Sequence, residues 1–134
     1  MGSSLMFIDT SVIVAILSKE PDATEFANRI EAAECITSAL VILESAMRLS
    51  TKLVIDPVVV ERRIQAFLDE AQITLAPMDA ITASLAVKAF ADYGKGRGNP
   101  AQLNLADCLS YACAKAQGVP LMYKGKDFSY TDLG

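Results

Sequence analysis

At 134 residues, with 12 Lys and Arg against 16 Asp and Glu, a net charge of −4 and 52% apolar residues, the chain has the size of one domain. A chain of this length buries roughly two-thirds of its unfolded surface. Histidine is absent, which excludes Ser-His-Asp triads, Cys-His pairs, histidine-based ribonuclease chemistry and the common zinc sites, so any catalysis must rest on carboxylates.

Leu5-Met6-Phe7-Ile8 runs straight into Asp9-Thr10-Ser11. Four apolar residues predict a buried strand that delivers a carboxylate to its C-terminal end, where ligands bind in open parallel α/β sheets. The same Asp-Thr-Ser also suits a plain helix N-cap. Gly2-Ser3-Ser4 reads as a cloning remnant and is set aside in placing the elements. A short buried helix follows over Thr10–Leu17, and Lys19-Glu20-Pro21-Asp22 breaks it, with Pro21 expected to open the next helix over residues 22–33. That helix carries Ala23, Phe26, Ala27 and Ile30 on one face, the i, i+3, i+4, i+7 pattern. Glu34–Thr37 is the second strand. Ser38 then caps a helix over Ala39–Leu53, whose apolar body is interrupted by Glu44.

Asp56-Pro57 pairs an N-cap with a proline at the first helical position, and Ile64, Phe67, Leu68 and Ala71 mark the inner face of the helix they open. Residues 73–76 form a third strand ended by Pro77. Asp79 caps an alanine-rich helix over Ala80–Tyr93, a good helix former. Residues 94–100, with three glycines and a proline, predict an irregular, mobile loop. Asn104 caps a helix over Leu105–Gln117, closed by Gly118-Val119-Pro120, before a fourth strand at residues 121–123. Strands alternating with helices imply a parallel sheet covered on both faces, a three-layer α/β/α sandwich, here a single domain.

No apolar run approaches the length needed to cross a bilayer, and the first apolar segment lacks the basic flank of a secretion signal. Of the three cysteines, Cys108 and Cys113 lie five apart on one predicted helix, a poor spacing for a disulfide. A reducing cytoplasm is the expected setting. The net negative charge disfavours nucleic acid as a partner, but its distribution is uneven. Within residues 93–128, Lys95, Arg97, Lys115, Lys124 and Lys126 face only Asp107 and Asp127, a local charge of +3. Such a run serves either a solvated face or a phosphate backbone.

Four acids stand out. Asp9 and Asp127 follow strands, whereas Glu44 and Asp107 lie near the starts of helices, so all four can converge on one edge of the sheet. Each also has a local role: Glu44 is spaced for an i, i+4 pair with Arg48, Asp107 suits the first turn of its helix, and Asp127 suits a turn. At about 5 Å and an effective dielectric of about 20, each close carboxylate pair repels by about 3 kcal/mol. Several such pairs rival a folding stability of about 5 to 15 kcal/mol. A converged cluster therefore implies a cation or raised pKa values, and oxygen-only ligation points to Mg2+ or Mn2+.

Phe7-Ile8-Asp9-Thr10-Ser11, residues 38–44 with an acid inside a helix, Leu103-Asn104-Leu105-Ala106-Asp107-Cys108 and Lys124-Gly125-Lys126-Asp127-Phe128 together resemble the PIN-domain ribonucleases, and more closely the toxin halves of VapBC toxin-antitoxin pairs. The resemblance spans nearly the whole chain. It implies that Asp9, Glu44, Asp107 and Asp127 form an acidic quartet holding one or two Mg2+ or Mn2+ ions, with Thr10 or Ser11 supporting the metal. It implies an endoribonuclease, a homodimer and a cognate VapB-like antitoxin. Lys95, Arg97, Lys124 and Lys126 become candidates for gripping RNA. Ala106 stands where many relatives have glycine, and the short segment after Asp132 implies a final edge strand that is short or missing.

Competing readings are a non-catalytic metal-binding regulatory module, and a PIN nuclease of RNA processing unrelated to toxins. A receiver-like module wants an acidic pair after its first strand and a lysine after its last, whereas Asp9 is followed by hydroxyls. An aspartyl-nucleophile phosphatase wants Asp-x-Asp, and position 11 is Ser.

Overall fold

The computed structural model describes residues 5–134, so Gly2-Ser3-Ser4 lies outside the described residues. Strands β1 (Leu5–Ile8), β2 (Glu34–Thr37), β3 (Thr74–Leu75) and β4 (Leu121–Met122) form one parallel sheet in the order β3-β2-β1-β4. Phe7 is the register point for both neighbours of β1, opposite Ile36 of β2 and Leu121 of β4. Its side chain and that of Ile8 are fully buried, as expected of a strand covered on both faces.

The helices are α1 (Thr10–Leu17), α2 (Ala23–Glu31), α3 (Ala39–Leu53), α4 (Pro57–Glu70), α5 (Ala80–Tyr93) and α6 (Leu105–Gln117). From β1 the chain steps outward to β2 and β3, then returns to the far side of β1 as β4. Right-handed crossovers therefore put α1 to α4 on one face and α5 and α6 on the other, giving the three-layer α/β/α arrangement. The reversal creates a switch point between β1 and β4, and the crevice outside their C-terminal ends is where such sheets bind ligands. One continuous apolar core joins Phe7, Ile13, Leu49, Ile64, Leu103 and Met122 across the layers.

Local chemistry sets most of the helix starts. The side chains of Asp9, Ser38, Asp56, Asp79 and Asn104 each accept a backbone N–H of the helix they precede, relieving donors that the helix itself leaves unpaired. Gly118 closes α6 in the left-handed conformation at φ 65°, where a Cβ would be strained. Val54 fills the equivalent position after α3 at φ 54°, an unusual choice for a β-branched residue. Thr37 Oγ1 donates to the Ile8 carbonyl at 2.7 Å, locking the end of β2, and hence the start of α3, to the end of β1.

Several expectations are corrected. Pro21 does not open α2; it lies in the turn before Asp22, and α2 begins at Ala23. The third and fourth strands are shorter than residues 73–76 and 121–123. Residues 94–100 form irregular turns closed at the base: Lys95 N–H donates to the Leu103 carbonyl, Leu103 N–H to Tyr93, and Arg97 N–H to Gly94. After β4 the chain ends in a 3-10 helix, Asp127–Tyr130, and no further strand occurs among the described residues. Tyr111 and Lys115 of α6 hold Asp132 of this tail at 2.5 and 2.8 Å.

Candidate active site at the strand ends

Asp9 sits at the tip of β1 in extended backbone and is 4% exposed. Its N–H donates to the Met122 carbonyl at 3.0 Å, so β4 fixes its main chain. Its Oδ2 accepts both the Ser11 N–H at 3.1 Å and the Ser11 hydroxyl at 2.7 Å. Oδ1 carries no hydrogen bond among the described residues. The Ser11 hydroxyl also accepts the Lys124 N–H at 2.9 Å, which extends the β1–β4 link past the last ladder pair, Ile8 and Met122. Thr10 behaves differently: its hydroxyl is buried and unpartnered. Of the two hydroxyls singled out by sequence, Ser11 is therefore the one bonded to Asp9.

Asp107 enters on the first turn of α6. Asn104 and Asp107 cap each other: Asn104 N–H donates to Asp107 Oδ2 at 3.1 Å, and Asp107 N–H to Asn104 Oδ1 at 2.9 Å. The carboxyl of Asp107 is nevertheless pushed up to about 6. Burial is the largest cause; the Asn104 N–H works against it, and the negative charges of Asp9, Asp127 and Glu44 add to it. The field at Asp107 thus joins all four acids singled out by sequence. Glu44, half-buried in the second turn of α3, forms no ion pair with Arg48 among the described residues, so the local alternative for it is not realised. Asp127 is exposed at the start of the terminal 3-10 helix, separated from β4 by a turn containing Gly125.

The basic residues divide. Lys95 and Lys126 are exposed, and Arg97 lies over the Phe90 ring with its guanidinium carbon 5.5 Å from the centroid. None of the three makes an ion pair among the described residues. Lys124, by contrast, is engaged: its ammonium pairs with Glu20 and, at 3.0 Å, with Asp22. Glu20 also accepts Lys52 at 2.6 Å, and these two lysines hold its carboxyl down at about 2. Sequence reasoning missed Glu20 and Asp22 because Lys19-Glu20-Pro21-Asp22 reads only as a helix breaker, and nothing local couples it to Lys124.

The four acids share a field without closing into a cage. Among the described residues no three Asp, Glu or Cys side chains converge closely enough to hold an ion by themselves. That openness fits Mg2+, which keeps several waters and is bound by one or two carboxylates together with substrate phosphate. The donor set fits as well, being all oxygen, with Asp9 Oδ1 unengaged and an excess of negative charge on Asp107 for a cation to relieve.

The PIN domain family model matches residues 6–133. VapC ribonuclease Mb0625 of Mycobacterium bovis is 41% identical over 129 residues, covering 96% of this chain and 95% of that protein. VapC ribonuclease R02377 of Rhizobium meliloti is 39% identical over 143 residues, covering 97% of this chain and all of that protein. In three dimensions the chain is similar to Mycobacterium tuberculosis VapC20, a Sarcin-Ricin loop cleaving toxin, with a TM-score of 0.70 over 92% of each chain at 19% identity. With the model match spanning nearly every residue and these relatives aligned over almost their full length, the chain belongs to the PIN-domain family and, within it, to the VapC ribonucleases.

Proposed function

We propose that this endoribonuclease is the toxin of a toxin-antitoxin pair and cleaves RNA with Mg2+ or Mn2+, one or two ions, held at the C-terminal ends of β1 and β4. The observation that carries the reading is the placement of Asp9, buried at the tip of β1 with only Oδ2 hydrogen-bonded among the described residues, in one field with Glu44, Asp107 and Asp127, which raises the Asp107 carboxyl. In the proposed mechanism Asp9 and Asp107 would hold the ion, and Glu44 and Asp127 would supply further negative charge. Ser11 keeps Asp9 turned, with one carboxylate oxygen occupied and the other available. A bound ion supplies a lowered water pKa and neutralises charge developing on the phosphodiester. Lys95, Arg97 and Lys126, which make no ion pair among the described residues, are the candidates for gripping the RNA backbone.

Exposed apolar surface supports two protein partners. Val87, Phe90 and Leu105 stand exposed along the groove between α5 and α6, which supports a homodimer. Leu43, Met47, Val54 and Val58 stand exposed on α3, its C-cap and α4, which supports a VapB-like antitoxin as a second partner. The proposed compartment is the cytoplasm, consistent with three free cysteines. Among the described residues no helix is long and apolar enough to cross a membrane.

Metal binding is tested by thermal unfolding. An ion bound only to the native state stabilises it by about 2.7 kcal/mol at a hundredfold excess over Kd, so millimolar Mg2+ or Mn2+ raises the melting temperature of the wild type by several degrees. Asp9→Asn abolishes that rise. A wild type indifferent to both ions contradicts the assignment.

A further inference from the structure

We propose that Glu20 and Asp22 are positioning residues of the site, acting through Lys124 as a clamp that holds Asp9 and the segment leading to Asp127 in register; this rests on the metal-site reading above. Lys124 is held at two ends. Its backbone N–H donates to the Ser11 hydroxyl, which in turn donates to Asp9 Oδ2. Its side chain reaches the connection between α1 and α2, where it pairs with Glu20 and Asp22. Glu20 is itself fastened by Lys52 of α3 and by the Ser18 hydroxyl, so the clamp is anchored to two helices.

The ladder between β1 and β4 ends at Ile8 and Met122. Beyond it, residues 123–126 are fixed by the Ser11 bond and this ion-pair network, together with the Tyr123 ring 5.4 Å from that of Phe128 and the Lys126 carbonyl, which accepts the Ser129 N–H, before the 3-10 helix begins at Asp127. Gly125, at φ 106°, turns this segment through a left-handed conformation that a side chain would strain. An isolated exposed ion pair would do little, but a network of several charges with shared partners is the case in which such contacts define geometry. Lys124 is thereby moved from the RNA-gripping set to the site's supporting structure. Outer contacts of this kind typically alter metal affinity 10- to 100-fold when removed.

The test uses the double variant Glu20→Gln/Asp22→Asn together with Lys124→Met and Lys124→Arg. In the metal-free protein, hydrogen exchange at the Lys124 amide speeds up in the double variant and in Lys124→Met, and returns toward wild type in Lys124→Arg. In titrations followed by thermal shift, the first two variants bind Mg2+ about tenfold more weakly. Their kcat for RNA falls at subsaturating Mg2+ while KM for RNA stays put. Unchanged Lys124 exchange and Mg2+ affinity overturn the clamp, as does a Lys124→Met variant whose only defect is a raised KM for RNA, which would return Lys124 to the RNA-binding set. A wild type that binds no Mg2+ refutes the metal reading instead, and the exchange rates still report on the clamp.

Discussion

Asp107→Asn makes the protein more stable and inactive at once. The Asp107 carboxyl stands at about 6 in the fold against an ordinary value of 3.8. Because the folded value is raised, Asp107 favours folding most below pH 3.8, and that advantage is lost as pH rises through about 6. A shift of about two pH units corresponds to at most about 3 kcal/mol, reduced to about 1 to 2 kcal/mol by solvent screening of a half-buried group. At pH 7 the asparagine removes that charge while its side-chain oxygen still accepts the Asn104 N–H, so the cap survives. The melting temperature rises by about 3 to 6 °C, and RNA cleavage falls at least about a hundredfold, since a carboxylate proposed to hold the ion is gone. The pH dependence separates the causes. Wild-type stability falls between pH 4 and 6 and that slope disappears in Asp107→Asn. Glu20, held down at about 2, contributes stability present above pH 4.5 and lost as pH drops toward 2, a different window with the opposite sign. A variant that loses both stability and activity would show that Asp107 is chiefly a cap.

Phe7→Ala has the largest effect on folding. Phe7 is 0% exposed and lies between β2 and β4 at the register point of both pairings. Truncating a buried phenylalanine costs about 3 to 5 kcal/mol through lost transfer energy and the remaining cavity. Against a total of about 5 to 15 kcal/mol, that moves the urea midpoint far down or leaves the chain unfolded at 37 °C. Activity per folded molecule, measured well below the midpoint, stays within a few-fold of wild type, because Asp9 is fixed by Ser11 and the Met122 carbonyl rather than by the Phe7 ring. A loss of less than about 1 kcal/mol would contradict the placement of β1 at the centre of the core.

The elements legible in the sequence are those whose limits are set by local chemistry. β1, β2, α1, α3, α5 and α6 match the sequence reading because Asp9, Ser38, Asp79 and Asn104 are caps recognisable from the chain alone and Gly118 is a stop signal. What was illegible depends on partners distant in sequence. β3 is only Thr74–Leu75 because its pairing with β2 ends at Thr37, which periodicity around residue 74 cannot reveal. Residues 94–100 look loose by composition, yet backbone bonds from Lys95 and Leu103 close the loop at its base. Pro21 has the chemistry of a first helical residue, but the turn that brings Glu20 and Asp22 to Lys124 delays α2 until Ala23.

At the site, the positions of the four acids at strand ends and helix starts follow from the order of elements, and the field at Asp107 joins them. The roles of the hydroxyls and lysines were not legible in the sequence. Only the fold tells Ser11, bonded to Asp9, from Thr10, whose hydroxyl is buried without a partner. Only the fold tells Lys124, paired with two carboxylates, from Lys95, Arg97 and Lys126.

The most direct measurement is RNA cleavage by wild type and Asp9→Asn, each with millimolar Mg2+ and with EDTA. The proposed acidic site, with one or two divalent ions, predicts cleavage only by the wild type and only with a divalent ion present, restored when Mg2+ or Mn2+ is returned after chelation. Cleavage that persists in EDTA, or that Asp9→Asn performs as well as the wild type, would contradict the account.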